Sequence, residues 1–363
     1  MTVFEYRYWV ANSQSNWYDQ SNWSLSSGGT PPAPIPTPNT IVVFDSSGLG
    51  RCELDASAFV QGFYVYAGFN KTIVQNGYEM RIGTSGGFFD GGYFLGSGAN
   101  ISVAGDLYIG GCQFQNTDAT LRFDGTFTYN PAPFTEPLIT EEFNLSATQI
   151  LDKKVRLAQI NTPSRVVLSI VGGVTQQYGT DYYVVDEDLR WDGKLLENSL
   201  SEGDILRITY PEVTIGFDPN NGTVALDSTG VNMSLRDATF STLLVDASNI
   251  RLSGTCLVED RMILQSGFMA QSPDGSVHVW GDLYAKSTYN RWAPGNNFPL
   301  IFDGYGPSMI YNETGCVIPT IIVNKADTDP VVCRGAGPLT VKDDFIISDG
   351  TFNTNGMHLQ VGL

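Results

Sequence analysis

The sequence predicts an all-β fold: a parallel β-helix, or solenoid of stacked coils, interrupted by an inserted small antiparallel β-sandwich. Three observations predict it. The first is a phrase written repeatedly: Ile101-Ser-Val-Ala-Gly-Asp-Leu-Tyr-Ile109, Val277-His-Val-Trp-Gly-Asp-Leu-Tyr-Ala285, Leu339-Thr-Val-Lys-Asp-Asp-Phe-Ile-Ile347 and, more loosely, Cys256-Leu-Val-Glu-Asp-Arg-Met-Ile-Leu264. Each copy is two short alternating strand segments bent at Gly or Asp, residues that a strand corner tolerates. The second is spacing. Val258 and Val279 are 21 positions apart, and Val279 and Val341 are 62 apart, close to three times 21. A period of about 20–25 residues marks a solenoid. The third is chemistry: β-branched strands and Gly, Asn or Asp corners, with no helical periodicity. Each such coil has an apolar interior face that it cannot bury alone, so coils stack and share one core.

A second phrase also recurs. Asn76-Gly-Tyr-Glu-Met-Arg-Ile-Gly83 returns as Asn355-Gly-Met-His-Leu-Gln-Val-Gly362. Each reads as an Asn-Gly turn leading into an alternating strand that stops at Gly.

Composition bounds the partners. The chain of 363 residues carries 38 acidic and 20 basic side chains, a formal net charge of -18. That balance argues against nucleic acid and against an anionic membrane surface, since both need clustered Lys and Arg. Charged residues make up only 16%, below the roughly 25% of an average domain. Low charge with abundant Gly, Asn, Ser and Thr suits a protein that works outside a cell. The five cysteines (Cys52, Cys112, Cys256, Cys316, Cys333) form no CxxC pair, and none stands in metal-ligand spacing to His278 or His358. They read as small buried hydrophobes, with no disulfide framework, no metal and no cofactor. Met1-Thr-Val-Phe-Glu-Tyr-Arg7 has neither the basic start nor the apolar run of a signal peptide, and no stretch is apolar enough to insert in a membrane.

Residues 1–45 read as an N-terminal Trp- and Pro-rich cap module. Trp9, Trp17 and Trp23 stand among turn formers, a Pro-rich run follows from Pro31 to Pro38, and Thr40-Ile-Val-Val-Phe-Asp45 is a strand. The Pro run should be extended. The three Trp are expected to cover the open end of the first coil; a sugar-stacking platform is the other reading. The set Trp9, Asn16, Trp17, Asp19, Asn22, Trp23, Ser24, Gly28, Gly29, Pro36, Thr37, Val43, Phe44 and Asp45 resembles a module at the start of β-solenoid segments in phage virion proteins and large bacterial surface proteins. That resemblance covers about an eighth of the chain and implies an architecture, with no catalytic residue.

Residues 46–136 read as the first part of the β-helix, with Phe88, Phe89, Phe94, Phe114, Phe123 and Phe127 as candidates for an interior stack. The rhythm changes after Pro131-Ala-Pro-Phe-Thr-Glu-Pro137. Residues 137–211 read as strands joined by short turns, the inserted β-sandwich. Gly172, Gly173, Thr175, Gln176, Tyr178, Gly179, Asp181, Tyr182, Trp191, Gly203, Asp204 and the strand Leu206-Arg-Ile-Thr-Tyr210 resemble a β-sandwich module of phage tail and structural proteins. This resemblance implies a structural or attachment role without an assigned reaction. Setting the insertion aside leaves about 80 of the 155 positions between Val103 and Val258, close to four coils.

Residues 212–363 resume the β-helix. Ser287-Thr-Tyr-Asn-Arg-Trp-Ala-Pro-Gly-Asn-Asn-Phe298 breaks the repeat and should project as a loop, where solenoids carry binding function. Trp280, Tyr289 and Trp292 are therefore the candidate ligand-binding residues. For catalysis, Asp106, Asp124, Asp246, Asp282, Asp303, Asp343 and Asp344 offer carboxylates that stacked coils could pair about 5 Å apart. The repeat itself places Asp106, Asp282 and Asp344 at corners, however, and the two His look isolated. No catalytic residue is assigned.

Taken with the two resemblances, these features lead us to expect a non-enzymatic phage virion protein made in the host cytoplasm. The expected place is a tail fibre or spike contacting host surface glycan, assembled as a homotrimer among other virion proteins. A capsid decoration protein is the alternative, and a polysaccharide-cleaving tailspike a further one.

Overall fold

The computed structural model describes residues 4–362 except 131–137, 158–165, 172, 174, 178–179, 186–187, 212–215, 227–230, 235–237, 272–275, 287–298, 314–315, 319 and 326–328. The chain forms two units: Met1–Ala132 with Ile215–Asn324 and Pro330–Leu363, and Pro133–Thr214 with Lys325–Asp329. The first unit is a parallel β-solenoid of about 12 turns.

A coil is three short strands, as in Tyr93–Leu95, Ile101–Val103 and Leu107–Ile109. The next coil repeats them in Gln113–Gln115, Thr120–Phe123 and Phe127–Tyr129. Pairing is parallel and in register, with Phe94 opposite Phe114, Ile101 opposite Leu121 and Leu107 opposite Phe127. Strand alternation sends every second side chain inward. One inner row runs through Ala58, Met80, Ile101, Leu121, Val224, Leu243, Met262, Leu283, Ile310 and Cys333. Every member is buried. At about 1.5–3 kcal/mol for each fully buried large aliphatic side chain, such rows are the main force holding coil to coil.

The repeated phrase has a physical cause at its corner. A Cβ on Gly105 would lie 2.6 Å from the Thr84 carbonyl oxygen, and one on Gly125 would overlap the backbone of Gly105. Asp106 Oδ1 accepts the Thr126 amide of the next coil at 2.7 Å, and Asp282 Oδ1 accepts the Met309 amide at 2.8 Å. Gly lets the corners stack closely, and Asp ties one corner to the next. The loose copy 256–264 behaves differently. It lies inside one continuous strand, Thr255–Gln271, which rounds the corner unbroken.

The Asn-Gly pairs of the two copies of the second phrase adopt positive φ at both residues, 53° and 76° at Asn76 and Gly77, 50° and 77° at Asn355 and Gly356. That is the two-residue I′ geometry which Asn-Gly favours. Gly83 does not end its strand, as the phrase suggested; it lies within Met80–Phe89, which continues around a corner.

At the N-terminus, Glu5–Trp9 pairs parallel with Thr40–Phe44 and antiparallel with Trp23–Ser24. Trp9, Trp17 and Trp23 are fully buried. Trp23 meets Trp9 and Trp17 edge-to-face at 5.1 and 4.9 Å. Two of the indole N–H groups have carbonyl partners: Trp9 Nε1 donates to the Gly50 carbonyl and Trp23 Nε1 to that of Trp17. The cluster is core, and no face is open for a sugar. It begins an interior aromatic column through Phe44, Phe63, Phe89, Phe114, Phe217 and Phe240, with centroid spacings of 5.0–5.8 Å. Of the expected interior stack, Phe88 departs. It faces outward and stacks on Tyr108 at 4.7 Å, because its neighbour Phe89 takes the inward phase opposite Ile109. All five cysteines are buried and free.

Leu121 pairs with Val224 across 103 positions. Removing the 82 residues of 133–214 leaves 21, one coil. The second unit has two three-stranded antiparallel sheets, Leu138–Asn144, Ile205–Pro211, Val167–Ile170 and Lys154–Arg156, Asp188–Arg190, Tyr183–Val185. They share a core of their own that includes Leu168, Leu206, Val155, Leu189, Tyr182 and Trp191. Its α-helix Ala147–Asp152 starts at a capping box of Ser146 and Gln149. Gly172, Tyr178 and Gly179 lie outside the described residues.

Candidate functional site

Outward positions on the solenoid form rows by the same register as the interior. Phe59, Arg81, Ser102 and Arg122 stand opposite one another on four successive coils. Their strand neighbours Val60, Ile82, Val103 and Phe123 point into the core, so alternation leaves the four no choice but to face out. They line an open groove of about 470 Å³, together with Gln61 and Asp124. Phe59 presents an exposed ring, and the Arg81 guanidinium lies 5.0 Å over it. Glu79 holds Arg81 from the side, with Nε to Oε1 at 2.7 Å. Gln61 Nε2 donates to Thr84 Oγ1 at 2.8 Å. A Cβ on Gly83 would come within 2.7 Å of Gln61 Oε1, so the glycine keeps that part of the groove wall low.

The groove therefore offers an apolar ring face, planar guanidinium donors, an amide and a carboxylate on a rigid wall. With coils about 4.8 Å apart, Arg81 and Arg122 are roughly 10 Å apart along the axis. A chain carrying a net charge of -18 has placed two cations in one row here. Ring stacking combined with bidentate donors is suited to sugars, acidic ones above all.

Of the residues singled out from sequence, Trp280 is half-buried and meets Tyr305 edge-to-face at 6.4 Å. A Cβ on Gly304 would overlap the Trp280 backbone, which explains a glycine at that position. Tyr289 and Trp292 lie outside the described residues. Other outward aromatics were not singled out: Tyr284 stacks on Tyr311 at 4.4 Å, with Arg261 over Tyr284 at 5.2 Å.

Among the acidic candidates, Asp106 and Asp282 are occupied at corners as described. Asp246 accepts Ser266 Oγ at 2.5 Å and Gln265 Nε2 at 2.8 Å. Glu259 stands apart electrostatically: burial, with the Asp218 charge adding to it, pushes its carboxyl up to about 7. His278 is not isolated. Its Nδ1 is 2.6 Å from Asp303 Oδ2 and its Nε2 is 3.2 Å from Ser276 Oγ. Among the described residues, no group of three or more His, Cys, Asp and Glu side chains is placed to hold a metal ion, and no helix is long and apolar enough to cross a membrane. No family model, curated protein or solved structure matches this chain.

Proposed function

We propose that this chain is a structural and adhesive component of a phage virion, a tail fibre or spike subunit, and that it holds host surface glycan in the groove over Phe59, Arg81, Ser102 and Arg122. The observation that carries the reading is that row: an exposed aromatic ring in register with two arginines, on a scaffold whose backbone is fixed by inter-coil pairing. A preorganised platform of this kind loses little entropy on binding an extended chain. Coil stacking sets the members of the row about 4.8 Å apart along the axis. Assembly as a homotrimer follows by analogy with β-helix fibres, and the Trp-rich start and the sandwich insertion add the resemblance to virion modules.

The test is binding of the full chain to purified host surface polysaccharide. Phe59→Ala and Arg81→Ala both change outward side chains, so the solenoid should fold unaltered. Each should weaken binding about tenfold, equivalent to about 1.4 kcal/mol, and the Arg81 contribution should shrink with added salt. Wild-type affinity in both variants would remove the groove from the reading. Immuno-labelling of residues 137–211 on intact particles separates the two virion placements. Label at the tail tip fits a fibre or spike, and label over the head fits a capsid decoration protein.

A further inference from the structure

We propose a second site on the solenoid wall, independent of the glycan groove: an acyl-transfer centre of Ser276, His278 and Asp303 that cleaves esters of small acyl groups. Ser276 and His278 are two apart on the strand Ser276–Val279 and share its outward face, since Val277 and Val279 are buried between and beyond them. Asp303 follows the neighbouring strand Pro299–Phe302, which pairs with this one through His278 opposite Ile301. The three are thus brought together by coil stacking across 25 positions of sequence.

The connectivity is directional. His278 Nδ1 meets Asp303 Oδ2 at 2.6 Å, and Nε2 meets Ser276 Oγ at 3.2 Å. The carboxylate accepts from Nδ1–H, which fixes the tautomer with its lone pair on Nε2. That lone pair is aimed at the serine hydroxyl, the arrangement of a nucleophile, base and orienting acid recognised by geometry rather than by fold. The other carboxylate oxygen, Asp303 Oδ1, is buried with no hydrogen-bond partner among the described residues. An acceptor left unmade costs free energy, and the carboxylate's other oxygen is the one that holds the His278 imidazole. Leu257 and Ile301 flank His278 in register on the two adjacent coils, giving the imidazole apolar sides. Thr255 Oγ1 is 3.3 Å from Ser276 Oγ, near enough to donate to an oxyanion forming on a carbonyl bound at that serine. The His278 and Asp303 side chains retain 29% and 22% exposure, so substrate can reach them.

In the reaction, Ser276 Oγ attacks the acyl carbon while its proton passes to His278 Nε2. The ester C–O bond breaks, and the departing alkoxide takes that proton as an alcohol. Water then attacks the acyl-serine, gives a proton to Nε2, and the carboxylic acid leaves as Ser276 Oγ recovers the proton. Ser276 and His278 are the catalytic residues, and Asp303 is a positioning residue.

The experiment uses the full native chain and two probes, a fluorophosphonate and p-nitrophenyl acetate. The fluorophosphonate should add to Ser276, read by mass spectrometry of the peptide that contains it. That measurement on the unaltered chain does not depend on any variant folding. Ester hydrolysis should fall at least 100-fold in Ser276→Ala and in His278→Gln. Asp303→Asn should lower the rate at least tenfold and shift its pH profile, a change that a merely structural carboxylate would not produce. No adduct at Ser276 on the folded chain would overturn the proposal. Hydrolysis undiminished in Ser276→Ala would overturn it equally, because the imidazole alone would then be the nucleophile.

Discussion

Glu259 is an acid whose ionisation opposes folding. Burial is the largest cause of its rise to about 7, and Asp218 adds to it. Its folded-state value is above the ordinary one, so below about pH 4.5 the group is protonated in both states and costs nothing. As pH rises from there toward 7, the unfolded chain releases this proton and the folded chain does not, so stability falls across that window. Glu259→Gln should remove this component, leaving the variant more stable than the parent at pH 8 by on the order of 1–2 kcal/mol after allowance for solvent screening. The two should match at pH 4. Denaturant midpoints at both pH values measure it, and a constant difference would contradict it. The cysteines give a second residue-scale expectation. Burial pushes Cys112, Cys316 and Cys333 up to about 12, and raises Cys52 and Cys256 as well. Thiolate is the reactive form. A disulfide thiol reagent at pH 8 should therefore leave the native protein untouched and modify all five sites once denaturant is added.

Within an element, the corner is the unit of design. Asp106→Ala removes a charged acceptor from the Thr126 amide and should cost about 1–2 kcal/mol, with Asp106→Asn costing less because an amide oxygen can still accept. Gly125→Ala should cost more, about 2–3 kcal/mol, since its Cβ meets the backbone of Gly105 and no side chain can move aside. Gly77→Ala is the informative control. Nothing lies within 4 Å of its Cβ, so it should carry only the conformational penalty of φ +76°, about 1 kcal/mol. Thermal melts of the four variants rank these causes. The same two causes explain why the corner phrase was readable from sequence: a steric demand for Gly and a hydrogen-bonding demand for Asp both leave a residue-type signature. Where neither operates, the signature fades. In 256–264 the corner falls at Glu259 and Asp260 with no glycine, and the strand passes through it. Phe88 and Phe89 show another limit. Composition marks both as core, and only the pairing of Phe89 with Val65 and Ile109 tells which one faces in.

At the scale of the molecule, the period was readable but its consequences for surface chemistry were not. Phe59, Arg81, Ser102 and Arg122 are unremarkable where each stands in the sequence and become a site only when successive coils are laid in register. The same holds for Asp303 beside His278. Trp280 is a candidate from sequence because it stands near the polar-aromatic stretch 287–298 that breaks the repeat, whereas a row at intervals of 22, 21 and 20 positions is visible only after the strand pairs are known. The interval that breaks this rhythm, from Leu121 to Val224, predicts a separable insertion. Tyr129 ends one strand and Gly216 begins the next. One coil earlier, Ile109 and Gln113 are joined by only Gly110, Gly111 and Cys112. Replacing residues 130–215 with Gly-Gly-Cys should therefore close the coil and keep Gln113 opposite Gly216 and Phe114 opposite Phe217. The two cores share no residues, so the parent should unfold in two steps and the shortened chain in one. Its solenoid transition should stay within about 5 °C of the parent's, a shift that corresponds to no more than about 1–2 kcal/mol. Aggregation of the shortened chain, or loss of its strand signal in far-UV circular dichroism, would mean that the insertion supports the coils on either side and that the break in period is structural.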